Sequence, residues 1–207
     1  MMPSQKERML SGKLYRAADT EIRAVNFRAR RLTRLFNQTT EEQMAYRQTL
    51  LKELFLKTGS EIYIEQPFHI DYGQHTTIGE HFYANYDCIF IDTAPITIGN
   101  DFYLALRVGL YTAGHPIDAA IRNEDLEYGY PITIGDSVWI GANVVVNPGV
   151  TIGSNVVIGS GSVVTKAIPD NVVAAGNPCR VIRPITKEDQ DFWAKQKADY
   201  VADPDVH

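Results

Sequence analysis

The segment YTAGHPID, residues 111–118, contains a histidine whose type and setting suit a catalytic base. Neutral imidazole can take a proton from a hydroxyl group because its pKa lies near working pH. His115 precedes Pro116, and the proline ring restricts the local backbone. A surface loop residue without a chemical role is the alternative, and the histidine alone does not decide between the two.

A catalytic histidine needs a partner on its second ring nitrogen, which sets the tautomer. Glu127 in EDLEYGYP, near the end of the same stretch, is the candidate, with a solvated loop carboxylate as the alternative. A second group of interest is basic: Lys166, Arg180 and Arg183 lie close together in the sequence. Cations in such a group would suit the phosphates of a nucleotide cofactor.

A repeat of six residues must position these groups. Between residues 132 and 168, aliphatic residues return at every sixth position: Ile134, Ile140, Val146, Ile152, Ile158 and Val164. The same register occurs earlier, at Ile78, Ile98, Leu104 and Leu110. The period fits no helix, and a repeat this short predicts a solenoid.

The repeat predicts a mainly β fold, a parallel β-helix of triangular cross-section with about 18 residues in each coil. The repeated aliphatic residue of each hexapeptide points inward. We expect the Gly or Asn that follows it to adopt the unusual backbone of the corner. The repeat stops at residues 112–131, an inserted loop that carries His115, and resumes in register afterwards.

Helical patterns flank the solenoid. Residues 19–36 place Ile22, Ala29 and Phe36 on one stripe behind Asp19, an expected N-cap, and Thr40 with Gln43 predicts a capping box for a second helix. Arginines between residues 16 and 34 are interpreted as solvated or paired with acids. We therefore divide the chain into a helical region at 1–58, a β-helix at 59–185 and a C-terminal helix and tail at 186–207.

Composition narrows the function classes. A net charge of -5 disfavours a nucleic-acid surface, which needs clustered Lys and Arg. No stretch has the length and apolar content of a signal peptide or a bilayer span. Cys88 and Cys179 do not make a disulfide framework and fit reduced thiols. We expect a cytoplasmic protein that binds neither nucleic acid nor membrane.

Several segments together resemble a known family. FYANYDC at 82–88, the GHPID loop, PITIGDSVWIGANVVVNPGVTIG at 131–153 and VVAAGNPCRVIR at 172–183 are similar to the maltose/galactoside O-acetyltransferases, and the DYG and HPID segments are closest to the maltose branch. The resemblance implies a left-handed parallel β-helix, acetyl-CoA as the co-substrate and a sugar hydroxyl as the acceptor. It also implies a homotrimer with active sites between subunits, and no metal.

The resemblance assigns roles to individual positions. It makes His115 the general base. Asn85 matches the asparagine that contacts the acceptor hydroxyl and the tetrahedral intermediate, and an amide can donate to an oxyanion. The backbone N–H of Ala142 matches the group that faces the thioester carbonyl. The remaining positions are Asp71, Tyr83, Asp92 and Asp19 for the sugar, and Ala105, Ser160 and Thr165 for coenzyme A. Trp139 either flanks the cofactor or packs outside a coil.

Two other functions remain open on the sequence. One is a non-catalytic solenoid that only binds a partner. The other is a zinc-dependent β-helix enzyme of the carbonic-anhydrase kind, because His69, His75 and His81 recur at intervals of six. Residues six apart fall on successive faces of a triangular coil, so these three histidines are expected to be outward or corner residues that do not converge.

Overall fold

The computed structural model describes residues 2–203. Residue 1 and residues 204–207, the ends of the predicted helical region and of the predicted tail, lie outside the described residues. Three helices come first, a short helix lies within the inserted loop, and a longer one follows the solenoid. They are α1 (Gln5–Leu10), α2 (Thr20–Asn37), α3 (Met44–Leu54), α4 (Ala119–Arg122) and α5 (Lys187–Ala202).

The chain also contains short strands, all in the solenoid except for two in the inserted loop. In chain order they are β1 (Ile62–Ile64), β2 (Phe68–Ile70), β3 (Thr76–Ile78), β4 (Phe82–Ala84), β5 (Cys88–Ile91), β6 (Ile96–Ile98), β7 (Phe102–Leu104), β8 (Gly109–Tyr111), β9 (Ala113–Gly114), β10 (Tyr128–Gly129), β11 (Ile132–Ile134), β12 (Val138–Ile140), β13 (Val145–Val146), β14 (Thr151–Ile152), β15 (Val156–Ile158), β16 (Val163–Val164), β17 (Val172–Ala175) and β18 (Arg180–Pro184).

Three parallel sheets form the faces of the solenoid. The first face contains β1, β4, β7, β12, β15 and β17, with β18 added antiparallel at its end. The second face contains β2, β5, β8, β13 and β16, and the third contains β3, β6, β11 and β14. The chain visits the faces in this order for about six turns, so the predicted parallel β-helix is confirmed.

Inward aliphatic residues stack in register from coil to coil. On the third face, Ile78 pairs with Ile98, Ile98 with Ile134, and Ile134 with Ile152. All four side chains are buried. The residue between two inward positions, such as Thr97, faces outward. The predicted inward register is confirmed, and burial of its apolar surface stabilises the coils against one another.

The role predicted for the corner glycines was wrong. Left-handed backbone occurs three residues after the inward aliphatic, as at His81 and Ser137, and not at the glycine that directly follows it. The glycine is needed for a different reason: a Cβ on Gly79 would lie 2.5 Å from the carbonyl oxygen of Gly99 in the next coil. Close approach between coils therefore selects glycine at this position.

The helices α2 and α3 cover the first coil. Asp19 caps α2, accepting hydrogen bonds from the backbone N–H of Glu21 and Ile22, as predicted. Helix α3 begins at Met44 rather than at Thr40, and of the predicted capping box only the bond from the Thr40 N–H to the Gln43 side chain forms, at 2.8 Å. Arg47 on α3 is buried and donates to the Ile64 carbonyl oxygen at 2.7 Å, which links the helix to β1.

Of the three histidines at intervals of six, His69 lies on β2, and His75 and His81 directly precede β3 and β4. His69 is exposed on β2, and His81 is exposed between Glu61 and Asp101. His75 is instead buried, with its Nδ1 donating to the Asp92 carbonyl oxygen at 2.7 Å, which corrects the outward placement expected for it. Within residues 2–203 no three potential metal ligands lie close enough to hold an ion.

Helix α5 packs differently from the other long helices, since none of its residues is buried. Its N-terminus is set by the bidentate contact of Arg183 on β18 with Asp189 at 2.7 and 2.8 Å. None of the helices in the described part of the chain is both long and apolar enough to cross a bilayer.

Shortening one residue of the inward stack tests the packing of the coils. Ile98→Ala should lower the free energy of unfolding by about 2–5 kcal/mol, because it leaves a cavity between Ile78 and Ile134. The matched control is Thr97→Ala on the outward side of β6, with an expected loss below about 1 kcal/mol. Urea unfolding followed by circular dichroism measures both, and equal losses for the two variants would contradict the assignment.

Candidate active site

The inserted loop is an ordered arm that leaves between the second and third faces. Strands β9 and β10 pair antiparallel at its neck, through Tyr128 with Gly114 and Gly129 with Ala113. Beyond the neck, Arg122 donates to the carbonyl oxygens of Pro116 and Ile117, both at 2.9 Å. These bonds fix the backbone on both sides of His115, which directly follows the neck and is exposed to solvent.

The ring of His115 faces a backbone carbonyl. Its Nδ1 lies 3.4 Å from the carbonyl oxygen of Leu126. A carbonyl oxygen can only accept, so this contact places the proton on Nδ1 and leaves the lone pair of Nε2 directed away from it. An imidazole in this tautomer can remove a proton from a bound hydroxyl group.

Glu127 does not make the predicted contact with His115. Its carboxylate accepts a hydrogen bond from the Tyr15 hydroxyl at 2.7 Å, and the backbones of Glu127 and Tyr15 exchange two hydrogen bonds of 3.0 Å. Tyr15 is buried, and burial together with the neighbouring Glu127 raises the pKa of its phenol far above the usual range. The tyrosine therefore stays a neutral donor, and it holds the loop against the N-terminal region.

A cavity of about 540 Å³ joins the loop to α2 and to the turn after β2. His115, Glu127 and Asp71, three of the predicted site residues, line this cavity together. Burial raises the pKa of the Asp71 carboxyl, and the nearby Arg30 acts in the opposite direction. The side-chain amide of Asn26 donates to the Asp71 carbonyl oxygen at 2.9 Å, which ties α2 to the same turn.

Asp92 lies beneath this cavity and not on its wall. Its side chain is fully buried and accepts hydrogen bonds from the Tyr72 N–H at 2.8 Å and from the Thr76 hydroxyl at 2.9 Å. The predicted direct contact with a sugar is therefore not available to it. Asp92 instead holds the turn that carries Asp71, and burial raises its pKa to about 7.

Asp19 also lies outside the cavity lining. Its carboxylate accepts the backbone hydrogen bonds that cap α2, so the structure gives it a helix-capping role in place of the predicted contact with the sugar. The residues that occupy this side of the cavity are Arg23, Asn26, Phe27 and Arg30. The sequence pattern does not mark them as site residues, because they sit on the polar face of α2, where arginines usually point into solvent.

A second cleft, of about 400 Å³, lies at another edge of the solenoid. Asn85 and Ala105 follow strands of the first face, and both line this cleft with Tyr83, Tyr103 and Trp139. The three aromatic side chains form an outward row on the first face, where Tyr83 pairs with Tyr103 and Tyr103 with Trp139. Trp139 is 55 % exposed, so it packs outside the coil with one side open.

The remaining predicted donor-site residues are spread over the last coils. Ala142 and Ser160 follow first-face strands at the same edge as Asn85, and the Ala142 N–H donates to the Ser160 hydroxyl at 3.1 Å. Thr165 and Lys166 follow β16, at the edge from which the loop leaves two coils earlier. Arg180 is exposed, and Arg183 is paired with Asp189. The single chain does not bring these residues into one pocket with His115.

Known proteins share both the helical cap and the repeat. A family described as the maltose acetyltransferase hexapeptide capping motif matches residues 8–59, and one described as bacterial transferase hexapeptide (six repeats) matches residues 131–166. The galactoside O-acetyltransferase of Escherichia coli (strain K12) is 42% identical over 189 residues, which are 91% of this chain and 93% of that protein. The chain belongs to the galactoside/maltose O-acetyltransferase family.

Solved structures of relatives agree with this acetyltransferase over most of its length. A maltose O-acetyltransferase from Clostridium difficile 630 is 53% identical with a TM-score of 0.88, covering 89% of this chain and 98% of the other. A galactoside acetyltransferase in complex with coenzyme A is 43% identical with a TM-score of 0.89, covering 92% and 94%. The predicted donor, acetyl-CoA, is consistent with the ligand of the second structure.

The buried carboxyl under the cavity gives this acetyltransferase a defined pH dependence of stability. In the folded state Asp92 keeps its proton up to about pH 7, whereas an unfolded aspartate loses it near pH 4. The contribution of this group to the free energy of unfolding therefore falls as pH rises between those values. Relative to Asp92→Asn, the unaltered protein should lose stability in this window by up to about 1.4 kcal/mol per pH unit.

Urea unfolding at a fixed protein concentration, repeated between pH 4.5 and 7.5, measures this difference. Asp125→Asn is the matched control, since Asp125 is an exposed carboxylate in the inserted loop. The free energy of unfolding of this control should change with pH in parallel with that of the unaltered protein. A parallel profile for Asp92→Asn as well would show that Asp92 titrates normally.

Proposed function

We propose that this acetyltransferase moves an acetyl group from acetyl-CoA to a hydroxyl of a glucose- or maltose-type sugar, with His115 as general base. The observation that carries the proposal is the cavity that His115, Asp71 and Glu127 line together. Carboxylates orient a sugar by accepting hydrogen bonds from its hydroxyls. The volume of about 540 Å³ lies within the range of small-molecule sites.

In the proposed reaction, Nε2 of His115 accepts the proton of the acceptor hydroxyl. The oxygen of that hydroxyl then bonds to the carbonyl carbon of the acetyl group. The imidazolium then returns the proton to the sulfur as the carbon–sulfur bond breaks. No covalent enzyme intermediate is needed, since the base and the donor act on the same acceptor. The Asn85 amide and the Ala142 N–H are proposed to stabilise the oxyanion between these steps.

We further propose that each active site forms between two copies in a homotrimer. Asn85 stands at the edge between the first and second faces, whereas His115 extends from the edge between the second and third faces. A threefold assembly sets one edge of each copy against a different edge of its neighbour.

We also propose that the protein works in the cytoplasm, because Cys88 and Cys179 are unpaired buried thiols.

Removal of the proposed base should reduce turnover strongly. His115→Ala is expected to lower kcat about 10²- to 10⁴-fold, with little change in the melting temperature because the side chain is exposed. Thiol release from acetyl-CoA, measured across a panel of glucosides, maltose and galactosides, gives the rate. Glu124→Gln, an exposed residue of the same loop, is the control and should keep full turnover. Near-normal turnover of His115→Ala would exclude the role.

Mixing two inactive variants tests whether the site is shared. His115→Ala and Asn85→Ala should each be inactive alone, because each lacks one group in every site. Equal co-expression should restore about a quarter of the normal activity, since that fraction of sites pairs an intact His115 with an intact Asn85 of the neighbour. Absence of recovery in trimers shown by mass spectrometry to contain both variants would place both groups in one subunit.

A further inference from the structure

A second cavity of about 540 Å³ adjoins the proposed acceptor cavity. The two share Arg30, Asp71 and Ile91 in their walls, and these two adjoining cavities are together called the groove. The added part lies between the C-terminal half of α2 and strand β2, away from His115. The added part has room for a substituent of the acceptor molecule, and this substituent takes no part in the acetyl transfer.

One side of α2 borders the whole groove. Arg23, Arg30 and Arg34 follow at intervals of seven and four residues, which places them along one side of a helix. Arg23 borders the acceptor cavity, Arg30 borders both cavities, and Arg34 borders only the added part. The acceptor site therefore continues into a region where guanidinium groups follow each other along the helix.

Arg30 and Arg34 have unused hydrogen-bonding capacity. Neither side chain makes an ion pair or a hydrogen bond within residues 2–203, whereas the nearby Arg28 and Arg31 both lie within 4.0 Å of the Glu53 carboxylate. Asp71 is the single acid among the residues that line the added cavity. One carboxylate can offset the charge of only one of the two guanidinium groups.

The strand side of the added cavity supplies an apolar surface beside its polar residues. Ile70 and Ile91 line the cavity together with the exposed His69 and with Asp71. A ligand that fits this arrangement has an apolar body against the isoleucines and an anionic group against the guanidinium forks. Guanidinium groups recognise carboxylate and phosphate alike, through paired N–H donors.

We propose that this groove binds an acceptor glycoside whose aglycone ends in a carboxylate or a phosphate, with Arg34 and Arg30 holding the anion. The inference rests on the proposed sugar acceptor and specifies its class. Arg34 is the specificity-determining residue, because it borders only the part of the groove beyond the sugar. The anion fixes the position of the glycoside along α2, while the sugar lies between Asp71 and His115.

Three probes of one shape test the proposal: phenyl β-D-glucoside and its para-carboxylate and para-phosphate derivatives, with the matching galactosides as a second series. Calorimetry on the full chain measures their binding, and thiol release from acetyl-CoA measures KM and kcat. An anionic derivative should bind about tenfold more tightly than the neutral parent. The advantage should shrink with added salt, and the two anions show which group the site accepts.

Arginine variants locate the effect. Arg34→Gln should abolish most of the anion advantage by raising KM for the anionic glycoside, while KM for the neutral parent and both kcat values stay nearly unchanged. Arg30→Gln/Arg34→Gln should abolish it fully. Arg31→Gln is the matched control. Arg31 directly follows Arg30 on α2 but lies 3.7 Å from the Glu53 carboxylate, so its variant should retain the tighter binding of the anionic glycosides.

Equal affinity of neutral and anionic probes in both series, no binding in either, or the same loss in Arg31→Gln would each overturn the proposal. The outcomes also distinguish a failure of the proposed anion site from a failure of the proposed acetyl transfer. Acetylation with equal KM values for all probes would leave the reaction standing without the anion site. Anion-dependent binding without acetylation of any probe would leave the anion site standing without the reaction.

Discussion

The stacking of each coil on the next is the constraint on which the rest of the structure depends. Backbone hydrogen bonds run between coils, and inward residues such as Ile98 lie in register with their counterparts above and below. Close approach at the corners excludes even a Cβ at Gly79. A solenoid built in this way has no room for chemistry in its interior. Functional groups are left with the outward positions, the corners and the segments added to the coils.

The proposed acceptor cavity is made from such additions. Helix α2 supplies one side, the inserted loop supplies His115, and the turn after β2 supplies Asp71. Polar groups in the neighbouring core fix these parts in place. Asp92 holds the turn through the Tyr72 N–H, and Tyr15 holds the loop through Glu127. A buried carboxyl is costly without hydrogen-bond partners, and here the partners are the groups whose positions shape the cavity.

The chemical groups are divided between two edges of one chain. The His115 edge carries the proposed base and the proposed sugar carboxylates, and the Asn85 edge carries the aromatic row with Tyr83 and Trp139. The Ala142 N–H is already engaged by the Ser160 hydroxyl, so binding a donor carbonyl there requires that hydroxyl to turn away. One chain therefore presents the proposed base and the proposed oxyanion donors at separate edges.

The β-helix, the inward register and the N-cap at Asp19 could be predicted from the residues alone, because each depends on residues a few positions apart. The sequence also pointed to His115, because the GHPID segment that contains it resembles one family. Three features are visible only in the folded chain: the burial of Asp92, the pairing of Glu127 with Tyr15 and the position of α2 as a wall of the groove. These features join residues from distant parts of the chain. A local pattern reports which side of a strand or helix a residue takes, but not what the folded chain places against that side.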